Sequence, residues 1–234
     1  MTARPILVGP APSRAVVWGS TGLVGQALVR ELVALGTQVT TAGRRALPLD
    51  SAPPGVGFHP IDFEALRASP HAVDSLFEGV STAFIALGTT RRAAGSREAF
   101  RRVDLDYVRA AAQASRHGGV SHLLFVSSLG ASATGSTFYL RVKGEAEEAL
   151  TELGFPALTV ARPALLLGKR EERRFGERVS AVAFRGMRPL LRGPLQRYRP
   201  IPAQVVARAL ARASCDPPSG VAVFESHHLA ILGS

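Results

Sequence analysis

Tyr139 and Lys143 stand four residues apart in a stretch, 137–153, whose apolar residues Val142, Ala146, Ala149, Leu150 and Leu153 recur at helical spacing. Both side chains therefore belong to one helix face. An ammonium close to a phenol favours the phenolate and makes the phenol a usable proton donor or acceptor near neutrality. Lysine is scarce in this chain: of 28 basic residues only Lys143 and Lys169 are lysine, so a lysine at this spacing is informative. Upstream, Ser127 and Ser128 follow the apolar run 122–126. A hydroxyl at the carboxyl end of such a strand can hold a carbonyl or alcohol against the tyrosine. Alternation along a strand lets one of the two serines face a cleft, and Ser128 is preferred to Ser127. Ser128, Tyr139 and Lys143 form the candidate catalytic set.

A second chemistry is anion binding. Gly19, Gly22 and Gly25, with Ser20, Thr21, Leu23 and Val24 between them, lie where the apolar run 15–18 feeds a helix marked by Val24, Leu28, Leu32 and Leu35. The first glycine allows a tight turn, the second lets backbone approach a pyrophosphate, and the third permits close helix–strand packing. The helix N-terminus then offers unpaired N–H groups and the positive end of its dipole. Cofactor preference depends on the end of the second strand, 39–42. An NAD site puts a carboxylate there, whereas this chain has none between Glu31 and Asp50 and presents Gly43, Arg44 and Arg45. A guanidinium suits a 2′-phosphate, so NADP(H) is expected rather than NAD(H). Asp62, at the end of the third strand, could meet the adenine edge or cap a helix beginning at Phe63.

The elements that must position these residues alternate strand with helix, and the strands are continuous apolar runs. That is the pattern of a parallel sheet covered on both faces, so a single doubly wound, Rossmann-type α/β domain is expected over 14–234. Residues 1–13, with Pro5, Pro10 and Pro12, read as a flexible leader, and 165–200 as a short lid or substrate region. Apolar residues make up 46% of the 234 and charged residues 20%, which excludes a disordered or collagen-like chain. The single cysteine, Cys215, excludes an internal disulfide, and no stretch approaches the apolar length of a membrane span. A cytoplasmic setting is expected. The net charge of +10 is spread along the chain as arginine, so no nucleic-acid partner is expected.

These motifs together, with Arg162-Pro163, resemble the short-chain dehydrogenase/reductase superfamily in its extended or atypical branch. Leu87-Gly88-Thr89-Thr90-Arg91, Arg102-Val103-Asp104-x-Asp106-Tyr107-Val108, Ser127-Ser128-x-Gly130-Ala131 and Tyr139-Leu140-x-Val142-Lys143-Gly144-Glu145 are similar to the small NADPH-binding, Tat-interacting-protein-like oxidoreductase group. The resemblance implies a dinucleotide across the carboxyl edge of the sheet, with Tyr139 as acid/base and Lys143 bridging the nicotinamide ribose. It implies that Leu87, Gly88 and Thr89 line the cofactor and that Pro163 and Ala164 sit by its carboxamide. Many members use a helix asparagine for proton relay, and this chain contains no asparagine. Homodimers occur in the superfamily through the helices near 100–117 and 137–153.

The leading expectation is thus an NADPH-dependent oxidoreductase for a small carbonyl or alcohol, with an epimerase or dehydratase as a variant. The alternative is a regulatory NADP(H)-binding protein with little turnover. The basic stretch 169–199 reads as a pocket lid, a solvated surface or a partner site. His227-His228 is read as two residues of a strand pointing oppositely, and no metal site is expected. Cys215 reads as an unreactive thiol at a loop or helix end.

Overall fold

The computed structural model describes residues 9–48, 52–167 and 198–234. In chain order the elements are β1 (Arg14–Trp18), α1 (Leu23–Ala34), β2 (Gln38–Gly43), β3 (Gly57–Pro60) and α2 (Phe63–Ala68), then a 3-10 segment (Pro70–Phe77) and β4 (Thr82–Ile85). There follow α3 (Arg91–Ala94), α4 (Arg97–Arg101), a π-helical turn (Arg102–Asp106), α5 (Tyr107–His117), β5 (His122–Val126), α6 (Phe138–Glu152) and β6 (Ala157–Arg162). The last elements are β7 (Leu166–Leu167), β8 (Ile201–Pro202), α7 (Ala203–Ala213), β9 (Gly220–Glu225) and α8 (Ser226–Leu232).

Seven strands form one sheet in the order β3-β2-β1-β4-β5-β6-β9, and every pairing is parallel. The chain reverses direction across the sheet between β1 and β4, which opens a crevice at the carboxyl ends of those strands. Alternation within each strand feeds two cores. Val16 and Trp18 of β1, Ala83 and Ile85 of β4 and Leu123 and Phe125 of β5 point to the side covered by α2, α5 and α6. Ala15, Val17, Phe84 and Leu124 point to the side covered by α1, α7 and α8. Burial of both faces explains why the strands read as unbroken apolar runs. Trp18, fully buried, satisfies its indole N–H on Ser115 Oγ at 3.1 Å, and Ser115 donates onward to the Ala111 carbonyl at 2.7 Å.

Three features differ from the sequence reading. The helix expected near 100–117 is interrupted by the π turn, which inserts a residue and turns Asp104 and Leu105 inward. His227 and His228 lie on helix α8, with ring centroids 3.8 Å apart, rather than on a strand. Gly9 lies so close to the Cys215 carbonyl that a Cβ there would be 2.3 Å from it, so this part of the expected leader is packed. Most of the expected lid, 168–197, falls outside the described residues.

Candidate functional site: a groove at the carboxyl edge of the sheet

β1 ends at Trp18 and the chain turns at Gly19, whose φ of 82° places it in the left-handed region. A Cβ there would lie 2.7 Å from the Ala86 backbone, and one at Gly25 would lie 2.3 Å from the Gly19 carbonyl oxygen. Glycine at both positions lets α1 pack directly onto the turn. Gly22 is the N-cap, with no side chain capping the helix and no acidic residue in its first turn. The exposed N–H groups and the positive end of the helix dipole therefore face the crevice. Val24 is buried in the core under α1, and Gly25 packs on Gly19, so neither lines the crevice as the motif suggested.

The crevice has a volume of about 680 Å3. Its walls come from three strand ends: Gly19 to Leu23 after β1, Ala42 to Arg45 at the end of β2, and Ala86 to Thr90 after β4. Leu87, Gly88 and Thr89 are in it as expected, and so are Arg44 and Arg45. Arg102, Phe63 and Tyr107 join them, three residues that the sequence reading did not assign to the site. The register of Arg102 depends on the π turn, which has no periodic signature. No carboxylate lines the crevice among the described residues. Asp62 instead caps α2, its Oδ1 accepting from the backbone N–H groups of Glu64 at 2.9 Å and Ala65 at 3.3 Å. Glu64, an exposed residue, lies 3.8 Å from the guanidinium of Arg102. Its carboxyl is held below the ordinary range by the Tyr107 hydroxyl, which donates at 2.8 Å, and by Arg67. The Tyr107 phenol is pushed up by burial and by that bond. Its ring stacks on Phe63 at 4.8 Å, forming an aromatic floor.

The Tyr139/Lys143 pair lies at the start of α6, where Thr137 Oγ1 accepts from the Leu140 N–H at 3.3 Å and fixes the helix N-terminus. Lys143 is buried. Its Nζ is 2.8 Å from Asp104 Oδ1, and Asp104 Oδ2 accepts the Thr89 N–H at 2.8 Å. A Cβ at Gly88 would lie 3.3 Å from that Oδ1 and 3.7 Å from Nζ, so the ion pair sits directly behind the crevice wall. Burial by itself depresses an ammonium; Asp104, with Tyr139 and Glu147, outweighs it and holds Lys143 above the ordinary lysine value. Tyr139 is 38% exposed and packs 5.8 Å from the Phe100 ring. Neither Tyr139 nor Lys143 is in the crevice lining itself.

The two serines separate cleanly. Ser127 is buried and donates its hydroxyl to Glu147, which also binds Arg162. Ser128 is half-buried, and its hydroxyl makes no hydrogen bond among the described residues. Pro163 and Ala164 do not reach the crevice. The Pro163 carbonyl accepts from Leu129 N–H at 2.9 Å, the Ala164 N–H donates to Ser226 Oγ at 2.7 Å, and Leu166, at the start of β7, lines the wall. Cys215 is buried, and burial raises its thiol above the ordinary value.

A seven-stranded parallel sheet with this strand order, a glycine turn at its reversal point and a crevice over its carboxyl edge defines a Rossmann-type dinucleotide-binding protein. Residues 19–187 match the family model described as NAD(P)H-binding, and the chain belongs to that family, among its atypical short-chain dehydrogenase/reductase-like members. It is 40% identical over 171 residues to Protein HTATIP2 of Rattus norvegicus, covering 72% of this chain and 69% of the rat protein. It is 32% identical over 223 residues to Protein FMP52, mitochondrial, of Eremothecium gossypii, covering 93% of this chain and 96% of that protein. The fold is shared with UDP-glucose 4-epimerase of Thermotoga maritima, at a TM-score of 0.67 and 16% identity over 91% of this chain and 76% of that one. It is also shared with Bordetella bronchiseptica WbmG solved with NAD, at 0.65 and 17% over 91% and 72%. Since the FMP52 proteins are named as mitochondrial, these relatives give the expected cytoplasmic setting no support. No described helix is long and apolar enough to cross a membrane.

Proposed function

We propose that this chain is an NADP(H)-dependent oxidoreductase of short-chain dehydrogenase type, acting on a small carbonyl or alcohol. The crevice suits a dinucleotide: a cradle that Cβ atoms would fill, an uncapped helix N-terminus facing it, and a volume within the range of cofactor sites. Backbone N–H groups in the first turn of α1 would hold the diphosphate, and Arg44 and Arg45 a 2′-phosphate. Arginines with no carboxylate among the described lining residues support NADP(H) over NAD(H). When bound, the nicotinamide supplies or accepts the hydride.

The observation that carries the reading is the buried chain Thr89–Asp104–Lys143 behind the crevice wall, one helical turn from Tyr139. Tyr139 gives a proton to the substrate oxygen during reduction and takes it back during oxidation. Lys143, kept protonated by Asp104, favours the phenolate that is left. Asp104 holds the ammonium through Oδ1 while its Oδ2 accepts the Thr89 N–H. Ser128, whose neighbour Ser127 is committed to Glu147, orients the substrate oxygen.

Two experiments test this. In titrations with NADPH and NADH the reduced phosphorylated form binds at least tenfold tighter, equivalent to about 1.4 kcal/mol, and Arg44→Ala narrows the gap. Across a carbonyl panel with NADPH, Tyr139→Phe lowers turnover by 10²-fold or more while cofactor affinity holds; equal turnover in both proteins would overturn the catalytic assignment. A second reading, a regulatory NADP(H)-binding protein with little turnover, is favoured by one observation. Tyr139 is half-exposed and lies outside the crevice lining. Tight NADPH binding without turnover of any carbonyl in the panel would select it.

A further inference from the structure

At the amino-terminal edge of the sheet, opposite the crevice, three side chains from two elements converge. His71 Nδ1 lies 2.6 Å from His117 Nε2, and His117 Nε2 lies 3.5 Å from Asp74 Oδ2. All three ligand atoms fall within 4.8 Å of one another, and all three side chains are exposed. His71 and Asp74 are three residues apart on the 3-10 segment, which is kinked between them at Val73 (φ −130°, ψ 25°). His117 is the last residue of α5.

The backbone beneath them is tightly keyed. A Cβ at Gly118 would lie 2.3 Å from the Phe77 ring, so the 3-10 segment docks against the end of α5 without slack. Val73, Leu76 and Phe77 share a core with Ala110, Ala111 and Ala114 of α5. Packing on the buried side therefore sets the separation of the three ligands on the exposed side.

We propose that His71, Asp74 and His117 form a binding site for a borderline divalent cation of the Zn2+ type. Two imidazoles and one carboxylate are the donor set such ions select, whereas Mg2+ and Ca2+ prefer oxygen ligands. Two ring nitrogens at 2.6 Å must share a proton or a cation. Zinc–nitrogen bonds of about 2.1 Å at a tetrahedral angle put the nitrogens ~3.4 Å apart, an opening of under about 1 Å that exposed side chains can make. The bound ion staples the 3-10 segment to α5 and leaves a coordination position to solvent. The site is remote from the crevice and does not rest on the oxidoreductase reading.

The test uses tag-free full-length protein, stripped with a chelator and titrated with Zn2+ by calorimetry. One equivalent binds saturably, the unfolding midpoint rises with Zn2+, and Co2+ gives a visible absorption band while Mg2+ has no effect. His71→Ala and His117→Ala each weaken Zn2+ at least tenfold, a His227→Ala/His228→Ala double variant leaves it unchanged, and all bind NADPH as the parent does. The proposal is overturned if Zn2+ does not saturate, if both single variants retain full affinity, or if the His227/His228 variant is the one that loses it.

Discussion

One turn apart on α6, Lys143 and Glu147 both carry charge into the protein interior, and they do so for different ends. Lys143 meets Asp104 from the π turn, and that pair touches the crevice wall at Gly88 and Thr89. Glu147 meets Arg162 at the end of β6 and Ser127 just after β5, tying two strand ends to the helix. The Lys143 side chain is 5% exposed and Asp104 1%, so no water can replace either partner. The Arg162 side chain keeps 27% of its surface exposed, and its guanidinium, raised chiefly by the Glu147 hydrogen bond, can fall back on solvent. A buried pair with no access to water contributes little net stability, yet breaking it is costly. Such a pair is expected where a charge must be held in place for chemistry; a half-wet pair suffices to pin strand ends.

That contrast is tested first by removing one partner from each pair. Asp104→Ala leaves an uncompensated buried ammonium and is expected to cost about 3–5 kcal/mol in urea unfolding. The double variant Asp104→Leu/Lys143→Met recovers most of that stability; on the proposed oxidoreductase reading turnover stays lost in it, because hydrophobic replacement repairs packing and not proton transfer. If Asp104→Ala costs no more than removal of Glu147, the distinction between the two pairs fails.

A neutral pair on the same strands sharpens it. His122 and Thr159 lie on β5 and β6, with His122 Nε2 2.9 Å from Thr159 Oγ1 and Nδ1 buried with no partner among the described residues. Burial lowers His122 from the ordinary 6.5 to about 4. The unfolded chain therefore takes up a proton below pH 6.5 that the folded protein refuses until about pH 4. Stability is unaffected above pH 6.5 and falls by about 3 kcal/mol as pH drops through that window. Unfolding midpoints measured from pH 7.5 to 4.5 check this, with a shallower acid slope expected in His122→Gln. The smallest effect belongs to the half-wet pair: Glu147→Gln is expected to cost about 1–2 kcal/mol, with cofactor affinity unchanged.

Much of this molecule is legible before folding is considered. The glycine turn can be read because left-handed φ at Gly19 and close approach at Gly25 are backbone demands that only one residue type meets without cost. Tyr139 and Lys143 can be read because helix geometry makes neighbours of residues four apart. The parallel sheet follows from strands apolar on both faces. All of these rest on local stereochemistry or periodicity, which a linear chain records.

What the tertiary structure alone decided is which groups meet across elements. Asp62 could serve adenine or a helix, and its cap of α2 took it away from the crevice. Ser127 and Ser128 were separated by a glutamate twenty residues on. Asp104 reached Lys143 because a π turn added one residue to a helix, shifting every later position by about 100°. His71 and His117 came together because a phenylalanine needed the space over Gly118. Contacts of this kind depend on packing between segments far apart in the chain, and no periodicity within either segment encodes them.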